Sequence, residues 1–364
     1  MKTPYLTIDL AKIEHNTRTI VGLCSEHGIH VTGVTKATCG HPDVARAMLR
    51  GGVVSIADSR LENIRRLRTA GVAASYILLR VPALSAIEEV IALADVSLNS
   101  EWSTVEALSS AAERHGKVHD VILMVDLGDL REGLWQNDIN AFVQQALKLR
   151  GIRIIGLGTN LACFGGVMPS ENNMKQLVGY ASTIESSFDL QLEWLSAVNS
   201  SGLELIAAGK MPARINHARI GEAILLGRET IQRKPWPDTH QNAFVLNAEI
   251  IELKMKPSVP VGQRGEDAFG NVPEFEDRGM RLRALLNVGH EDVDIAGISP
   301  VDSRVTILGA SSGYLVVDVT DAGSDIHLGD ELAFSLNYSA LVAAMTSGYI
   351  RKQVIKHGKR DTVQ

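Results

Sequence analysis

Eight short apolar runs, each followed by a longer amphipathic stretch, recur between about residue 30 and residue 221. They are His30–Lys36, Ser55–Asp58, Tyr76–Arg80, Asp95–Ser100, Val121–Gly128, Ile152–Asn160, Trp194–Ser200 and Arg214–Gly221. Each is rich in Val, Ile and Leu and bounded by Gly, Pro, Asp or Asn, the composition of strands buried on both faces. The stretches between them carry helical stripes, such as Leu61, Ile64 and Leu67, or Val105, Leu108 and Ala112. Ser59 and Ser100 stand where helix N-caps are expected. Eight strand–helix units in so short a span predict a closed parallel (β/α)8 barrel of TIM type over residues 11–232, because an open doubly wound sheet rarely needs eight evenly spaced units.

Beyond Thr230 the texture changes. Lys234-Pro235-Trp236-Pro237 reads as a linker, and Phe244–Leu253, Arg281–Val288, Arg304–Leu308, Tyr314–Val319 and Glu331–Leu336 read as strands separated by turn signals. A C-terminal β-rich domain over 233–364 follows, joined by an N-terminal strand over 3–10. Tyr338–Val354 reads as helical. The 364 residues suit a large barrel with an appendage.

A net charge of −6 argues against a general nucleic-acid binder, whose affinity rests on neutralising phosphates, and favours a small-molecule partner. Cys24, Cys39 and Cys163 are too few and too scattered for a disulfide framework or a zinc site, so no metal is expected and a reducing cytoplasm is. No signal-type h-region opens the sequence and no run approaches 18 uninterrupted apolar residues, so no membrane association is expected.

In a parallel barrel the reactive side chains stand at the C-terminal strand ends. Those ends carry Lys36, Asp58, Arg80, Asn99, Asp126 with Arg131 beyond it, Thr159 with Asn160, Asn199 with Ser200 and Ser201, and Arg219 with Gly221. A lysine closing an apolar strand is unusual, since burying an unpaired ammonium is costly; a salt-bridged or snorkelling lysine is the structural alternative. Asn199-Ser200-Ser201 and Arg219-Ile220-Gly221-Glu222 each end a strand and open a helix, where backbone N–H groups and hydroxyls can seat a phosphate. With the lysine, they point to a phosphorylated carbonyl cofactor held as a Schiff base, of which pyridoxal phosphate is the common one.

The blocks Val34-Thr35-Lys36-Ala37, Val125-Asp126-Leu127-Gly128-Asp129-Leu130-Arg131-Glu132-Gly133, Gly158-Thr159-Asn160-Leu161, Asn199-Ser200-Ser201, Ala218-Arg219-Ile220-Gly221-Glu222 and Asp267-Ala268-Phe269-Gly270-Asn271 occur in that order along the chain. In these the sequence resembles the alanine racemase family of fold type III pyridoxal phosphate enzymes, and within it the ornithine racemase branch. The resemblance implies that Lys36 holds the cofactor and moves a proton on one face of the substrate. It places Arg131 near the cofactor's phenolate oxygen, Asn160 beside the ring where alanine racemases carry a histidine, and Ser200, Ser201, Gly221 and Glu222 around the phosphate behind Asn199. The resemblance also implies that Arg219 faces the pyridine nitrogen. A guanidinium only donates, so that nitrogen stays unprotonated, the ring is a weak electron sink, and racemisation is favoured over transamination.

The second base in alanine racemases is a tyrosine on the partner subunit's second domain. The matching stretch here is Val288-Gly289-His290-Glu291-Asp292, which makes His290 the candidate, alongside the alternative of an exposed loop histidine with no role. An imidazole ordinarily titrates near pH 6.5, about where a proton shuttle needs to. The family's phosphate-binding tyrosine is missing from Ala37-Thr38-Cys39-Gly40-His41, which leaves Cys39 as packing residue or reactive thiol, and Met124 replaces a lysine that is carbamylated in some alanine racemases. These departures favour ornithine over alanine. For a cationic substrate side chain, Glu291, Asp292, Asp294, Asp267 and Glu222 are the acidic candidates. The expectation is a homodimeric racemase of ornithine or a related basic amino acid; the alternatives are an alanine or broad-specificity racemase, a fold type III decarboxylase or aldolase, and a non-catalytic pyridoxal phosphate carrier.

Overall fold

The computed structural model describes residues 3–355, which cluster into two compact units. One is Leu10–Gln241; the other combines the residues before Leu10 with those after Gln241. Along the chain, β1 (Tyr5–Asp9) belongs to the second unit. The first unit follows as α1 (Leu10–Glu26), β2 (His30–Val34), α2 (Pro42–Arg50), β3 (Ser55–Asp58), α3 (Leu61–Thr69), β4 (Tyr76–Leu78), α4 (Ile87–Leu93), β5 (Val96–Asn99) and α5 (Trp102–Arg114). It continues with β6 (His119–Met124), α6 (Ile139–Ala146), β7 (Ile152–Gly158), α7 (Glu171–Phe188), β8 (Trp194–Val198), α8 (Leu203–Ala207), β9 (His217–Ile220) and α9 (Glu222–Leu226).

Strands β2 to β9 pair in parallel, each with the next, and β2 pairs with β9, so the sheet closes into the eight-stranded barrel that the periodicity predicts. Alternation along each strand sorts side chains between the barrel interior and the surrounding helices. Gly33 marks the outer face of β2: a Cβ there would meet Met48 Sδ of α2 at 3.0 Å. Thr32 and Val34 therefore point inward. Val34, Ala57, Ile77, Val96, Leu98, Ile122, Met124 and Ile155 form one apolar cluster inside. Thr32, Ser55, Ser196, His217 and Arg219, from β2, β3, β8 and β9, fill the remaining sector with buried polar groups.

The second unit is an eight-stranded sheet. After β1 its strands are β10 (Phe244–Pro257), β11 (Met280–Leu286), β12 (Ile298–Pro300), β13 (Thr306–Ala310), β14 (Leu315–Asp318), β15 (Glu331–Leu336) and β16 (Arg351–Ile355), with α10 (Tyr338–Thr346) before the last. β12-β15-β10-β11-β14-β13 run in that spatial order; β1 pairs antiparallel with β10 and parallel with β16.

Local expectations differ from the structure in three places. Ser59 and Ser100 are not N-caps: Arg60 and Glu101 hold those positions without a side-chain cap bond. At α3 the preceding Asp58 carboxylate takes the Arg60 N–H instead, at 3.0 Å. Tyr338–Val354 is not one helix. Asn337 caps α10 by accepting the Ala340 N–H at 3.0 Å, the helix stops at Thr346 before Ser347-Gly348, and the chain turns into β16, whose edge pairs with β1. Lys234–Pro237, read as a linker, packs within the barrel unit, with Pro235 bridging to Arg228 and the Trp236 N–H donating to Gly227 O at 2.8 Å.

Candidate active site

Lys36 opens a single 3-10 turn, Lys36–Thr38, directly after β2, and its side chain is exposed at the C-terminal end of the barrel. The turn is fixed from below. Thr35 Oγ1 donates to Asp58 Oδ2 at 2.8 Å, Asn63 Nδ2 donates to Asp58 Oδ1 at 2.9 Å, and Thr38 Oγ1 donates to Thr35 O at 3.0 Å. Gly40, at φ +60°, lets the loop lie against α3, because a Cβ there would come within 2.8 Å of Asn63 Cβ. Cys39 is half-buried at φ +52°.

Asp58 is fully buried, and burial pushes its carboxyl up from the ordinary value against the hydrogen bonds it accepts from Asn63, Thr35 and the Arg60 and Ser59 N–H groups. The folded protein thus holds this proton more tightly than the unfolded chain does. That contribution to stability is complete below the ordinary carboxylate value of about 4 and disappears as pH rises through the elevated one. Asp58→Asn lacks this titration. Urea unfolding across a pH series should show wild type losing stability relative to the variant over that window, by about 1.4 kcal/mol per unit of elevation. A difference that grows in wild type's favour as pH rises would mean that the hydrogen bonds outweigh burial.

After β6 the chain makes a closed loop: Asp126 N–H donates to Leu134 O at 3.1 Å and Leu134 N–H to Met124 O at 2.8 Å. Arg131, on this loop, is gripped by Glu132 through Nε and Nη2, with Cys163 Sγ and the Asn160 side-chain amide also at its guanidinium. Burial lowers the Arg131 pKa, but the Glu132 carboxylate more than offsets this and the net shift is upward. Asp129, 1% exposed, accepts the N–H groups of Phe164 at 2.9 Å and Val167 at 3.1 Å, which ties the loops after β6 and β7 together. Burial alone would raise its pKa; these backbone donors bring it below the ordinary value.

Asn160 follows β7 and meets Asn199 Nδ2 at 3.0 Å. Asn199 also donates to Leu161 O at 2.9 Å and accepts the Ser201 N–H and hydroxyl at 2.8 and 2.5 Å, which sets the turn opening α8. Ser200 Oγ accepts the Ala223 N–H at 3.1 Å and thereby couples that turn to the start of α9. Gly221 precedes α9, and a Cβ on it would lie 3.1 Å from Val34 Cβ and 3.2 Å from Val34 O, so the backbone reaches the mouth bare. Glu222 is paired with Arg233; burial raises its pKa, opposed by Arg233 and Lys36.

Arg219 projects inward from β9 and is 6% exposed. Nη1 donates to Ser196 O at 2.6 Å and to Ser196 Oγ, and Nη2 to Thr159 O at 2.7 Å, while no partner among the described residues engages Nε. Burial lowers its pKa to about 10, which leaves it cationic at neutral pH. Thr159 Oγ1 is buried without a partner at the same level. A spare guanidinium N–H, an unpartnered hydroxyl and two helix starts joined through Ser200 are donors suited to a phosphorylated aromatic ring, and the residues present fit pyridoxal phosphate. The structure therefore brings Lys36, Arg131, Asn160, Asn199, Ser200, Ser201, Arg219, Gly221 and Glu222 to the C-terminal strand ends of one barrel.

His290 belongs to the second unit. Its exposed ring lies 4.3 Å from the Phe269 ring, and with Glu291, Asp292, Asp294, Thr346 and Ser347 it lines an open cleft of about 450 Å³. Asp292 is buried and accepts the Gly289 N–H at 3.0 Å, which shapes the turn carrying His290. Sequence reasoning missed Glu132 as the partner of Arg131, although it is the next residue, and Phe269 against His290, which no local spacing reveals.

A family model described as alanine racemase, N-terminal domain, matches residues 8–229. The ornithine racemase of Acetoanaerobium sticklandii is 41% identical over 353 residues, 97% of this chain and 99% of that protein. The lysine racemase of Thermotoga maritima is 38% identical over 352 residues, 97% and 98% of the two chains. The solved structure of alanine racemase from Bartonella henselae with covalently bound pyridoxal phosphate superposes with a TM-score of 0.75 at 18% identity, covering 98% of this chain and 100% of that one.

Proposed function

Since the chain belongs to the alanine racemase family, we propose that it interconverts the L and D enantiomers of a basic α-amino acid, ornithine first, as a cytoplasmic homodimer that uses pyridoxal phosphate. The observation that carries this reading is the gathering of Lys36, Asn160, Ser200 and the donor-only Arg219 at one barrel mouth. Pyridoxal phosphate, when bound, acidifies the α-C–H of an amino acid by drawing its electron pair into the ring.

The chain's own residues do the rest. Lys36 Nζ would anchor the cofactor covalently and, when free of it, would hold or take the α-proton on one face. Ser200, Ser201 and the backbone amides of Gly221 and Glu222 hold the phosphate behind Asn199. Arg131, kept in place by Glu132, would hold the cofactor's phenolate oxygen, and Asn160 would support the ring. Arg219 offers the ring nitrogen a proton to share and none to give up, which keeps the electron sink weak and the α-proton quick to return. His290 of the partner subunit serves the opposite face, and the acidic side chains around it suit a substrate with a second ammonium.

Lysine is the second reading, favoured by the likeness to the Thermotoga maritima enzyme. The test is to incubate purified holoenzyme with single enantiomers of ornithine, lysine, alanine, serine and arginine and to follow loss of optical rotation. Ornithine, or ornithine with lysine, should racemise fastest. Release of carbon dioxide would instead identify a decarboxylase, and inertness to every amino acid a cofactor carrier.

A further inference from the structure

The polar sector of the barrel interior contains a buried hydrogen-bonded chain that ends on Arg219. Ser196 Oγ, which receives Arg219 Nη1, lies 2.6 Å from His217 Nδ1; His217 Nε2 lies 2.7 Å from Thr32 Oγ1; Thr32 Oγ1 lies 2.6 Å from Ser55 Oγ. Strand register sets these contacts, since Ser196 is opposite His217 across β8 and β9 and Thr32 opposite Ser55 across β2 and β3. Thr32, Ser196 and His217 are completely shielded from solvent, and Trp194 stacks on the imidazole at 4.3 Å with the ring planes 16° apart.

One arrangement of protons runs in a single direction along the whole chain, from Arg219 to Ser55. A guanidinium donates and never accepts, so Ser196 Oγ receives a hydrogen from Arg219 and is free to pass its own hydroxyl hydrogen on to His217 Nδ1. That nitrogen is then an acceptor. The ring is neutral, carries its proton on Nε2 and gives it to Thr32, whose hydroxyl passes on to Ser55. Burial and the adjacent Arg219 charge, with His30 a lesser neighbour, work against a second proton on the ring.

We propose that His217 is a positioning residue for the racemase reaction: as a neutral Nε2-protonated ring it orders Ser196, and Ser196 fixes the Arg219 guanidinium at the floor of the site. The proposal rests on the functional reading above, in which Arg219 faces the cofactor's ring nitrogen. A guanidinium free to shift admits other partners to that nitrogen, and a protonated ring is a stronger sink. The α-proton is then returned to the cofactor's aldehyde-derived carbon in a larger share of turnovers. Water hydrolyses the resulting C=N bond, and the substrate leaves oxidised as its keto acid while the cofactor, reduced, keeps the nitrogen as an amine.

Two variants separate positioning from mere packing. In His217→Asn the amide oxygen takes the place of Nδ1 and still accepts from Ser196, whereas in His217→Gln the amide reaches the place of Nε2 and leaves Ser196 without an acceptor. Ser196→Ala removes only the link, since Arg219 retains Ser196 O. For purified holoenzymes turning over ornithine, keto acid formed per enantiomer interconverted should rise about tenfold in His217→Gln and Ser196→Ala and stay within about twofold of wild type in His217→Asn, the scale of one lost charge-assisted hydrogen bond. A ratio unchanged in both Gln and Ala variants of an active racemase overturns the proposal and leaves the functional reading intact. An independent arm needs no turnover: nitrogen-15 NMR of the wild-type protein should find His217 with a proton on Nε2 alone, and a proton on Nδ1 overturns the proposal even if the racemase reading fails.

Discussion

Lys36→Ala should lower the racemisation rate by at least about 10⁴-fold, because the substitution removes a covalent anchor and a proton carrier at once. The backbone around position 36 should survive the change. Its geometry depends on Thr35, Asp58, Asn63 and Gly40, and the lysine side chain is exposed, so the variant should unfold at a temperature close to that of wild type. Borohydride reduction of the wild-type holoenzyme followed by peptide mapping should put the label on the peptide containing Lys36, and the variant should take up none. A label on another side chain would remove Lys36 from its assigned role whatever the rates. Small amines added to the variant should restore part of the proton-transfer activity while leaving the covalent link unmade.

His290→Ala has a different signature, and thermodynamics dictates its form. The two enantiomers are equal in free energy, so loss of one base cannot slow net racemisation in one direction only; kcat/KM must fall equally both ways. The expected fall is about 10²- to 10⁴-fold, the usual contribution of a positioned acid–base group. Asymmetry should appear in exchange of the α-proton with deuterated solvent. The enantiomer whose proton faces Lys36 should still exchange without inverting, and its mirror image should not. Exchange and racemisation at wild-type rates for both would exclude His290 as the second base. Phe269, whose ring lies against His290, supplies a control, since Phe269→Leu keeps an apolar contact without altering the imidazole.

The barrel was legible because strands covered on both faces must be apolar throughout, and each of the eight runs coincides with an observed strand, although β6 begins at His119, ahead of the run that starts at Val121. The limits of that legibility follow from the same physics. Ser59 and Ser100 have the chemistry of caps, but whether a hydroxyl reaches an amide depends on which residue turns first, and Asp58 reached further. In Tyr338–Val354, helical spacing continues across Gly348, and only pairing with β1, more than three hundred residues earlier in the chain, makes its end a strand. Polar residues at strand ends stood out against apolar runs, so Lys36, Asn160 and Arg219 could be singled out. Thr32, Ser55, Ser196 and His217 lie within strands, where an isolated polar residue reads as noise until the closed barrel brings four strands' worth of them together. Glu132 was hidden for the opposite reason, because adjacent opposite charges usually signify no more than a solvated loop.

The placement of β1 between β10 and β16 has a bearing on biosynthesis. The ribosome makes this strand before the barrel unit, but the neighbour that completes its pairing on one side comes only after that unit. The intervening Leu10–Gln241 is contiguous and can mature while translation continues. β1 must therefore wait, unpaired on that side, until β16 has been made.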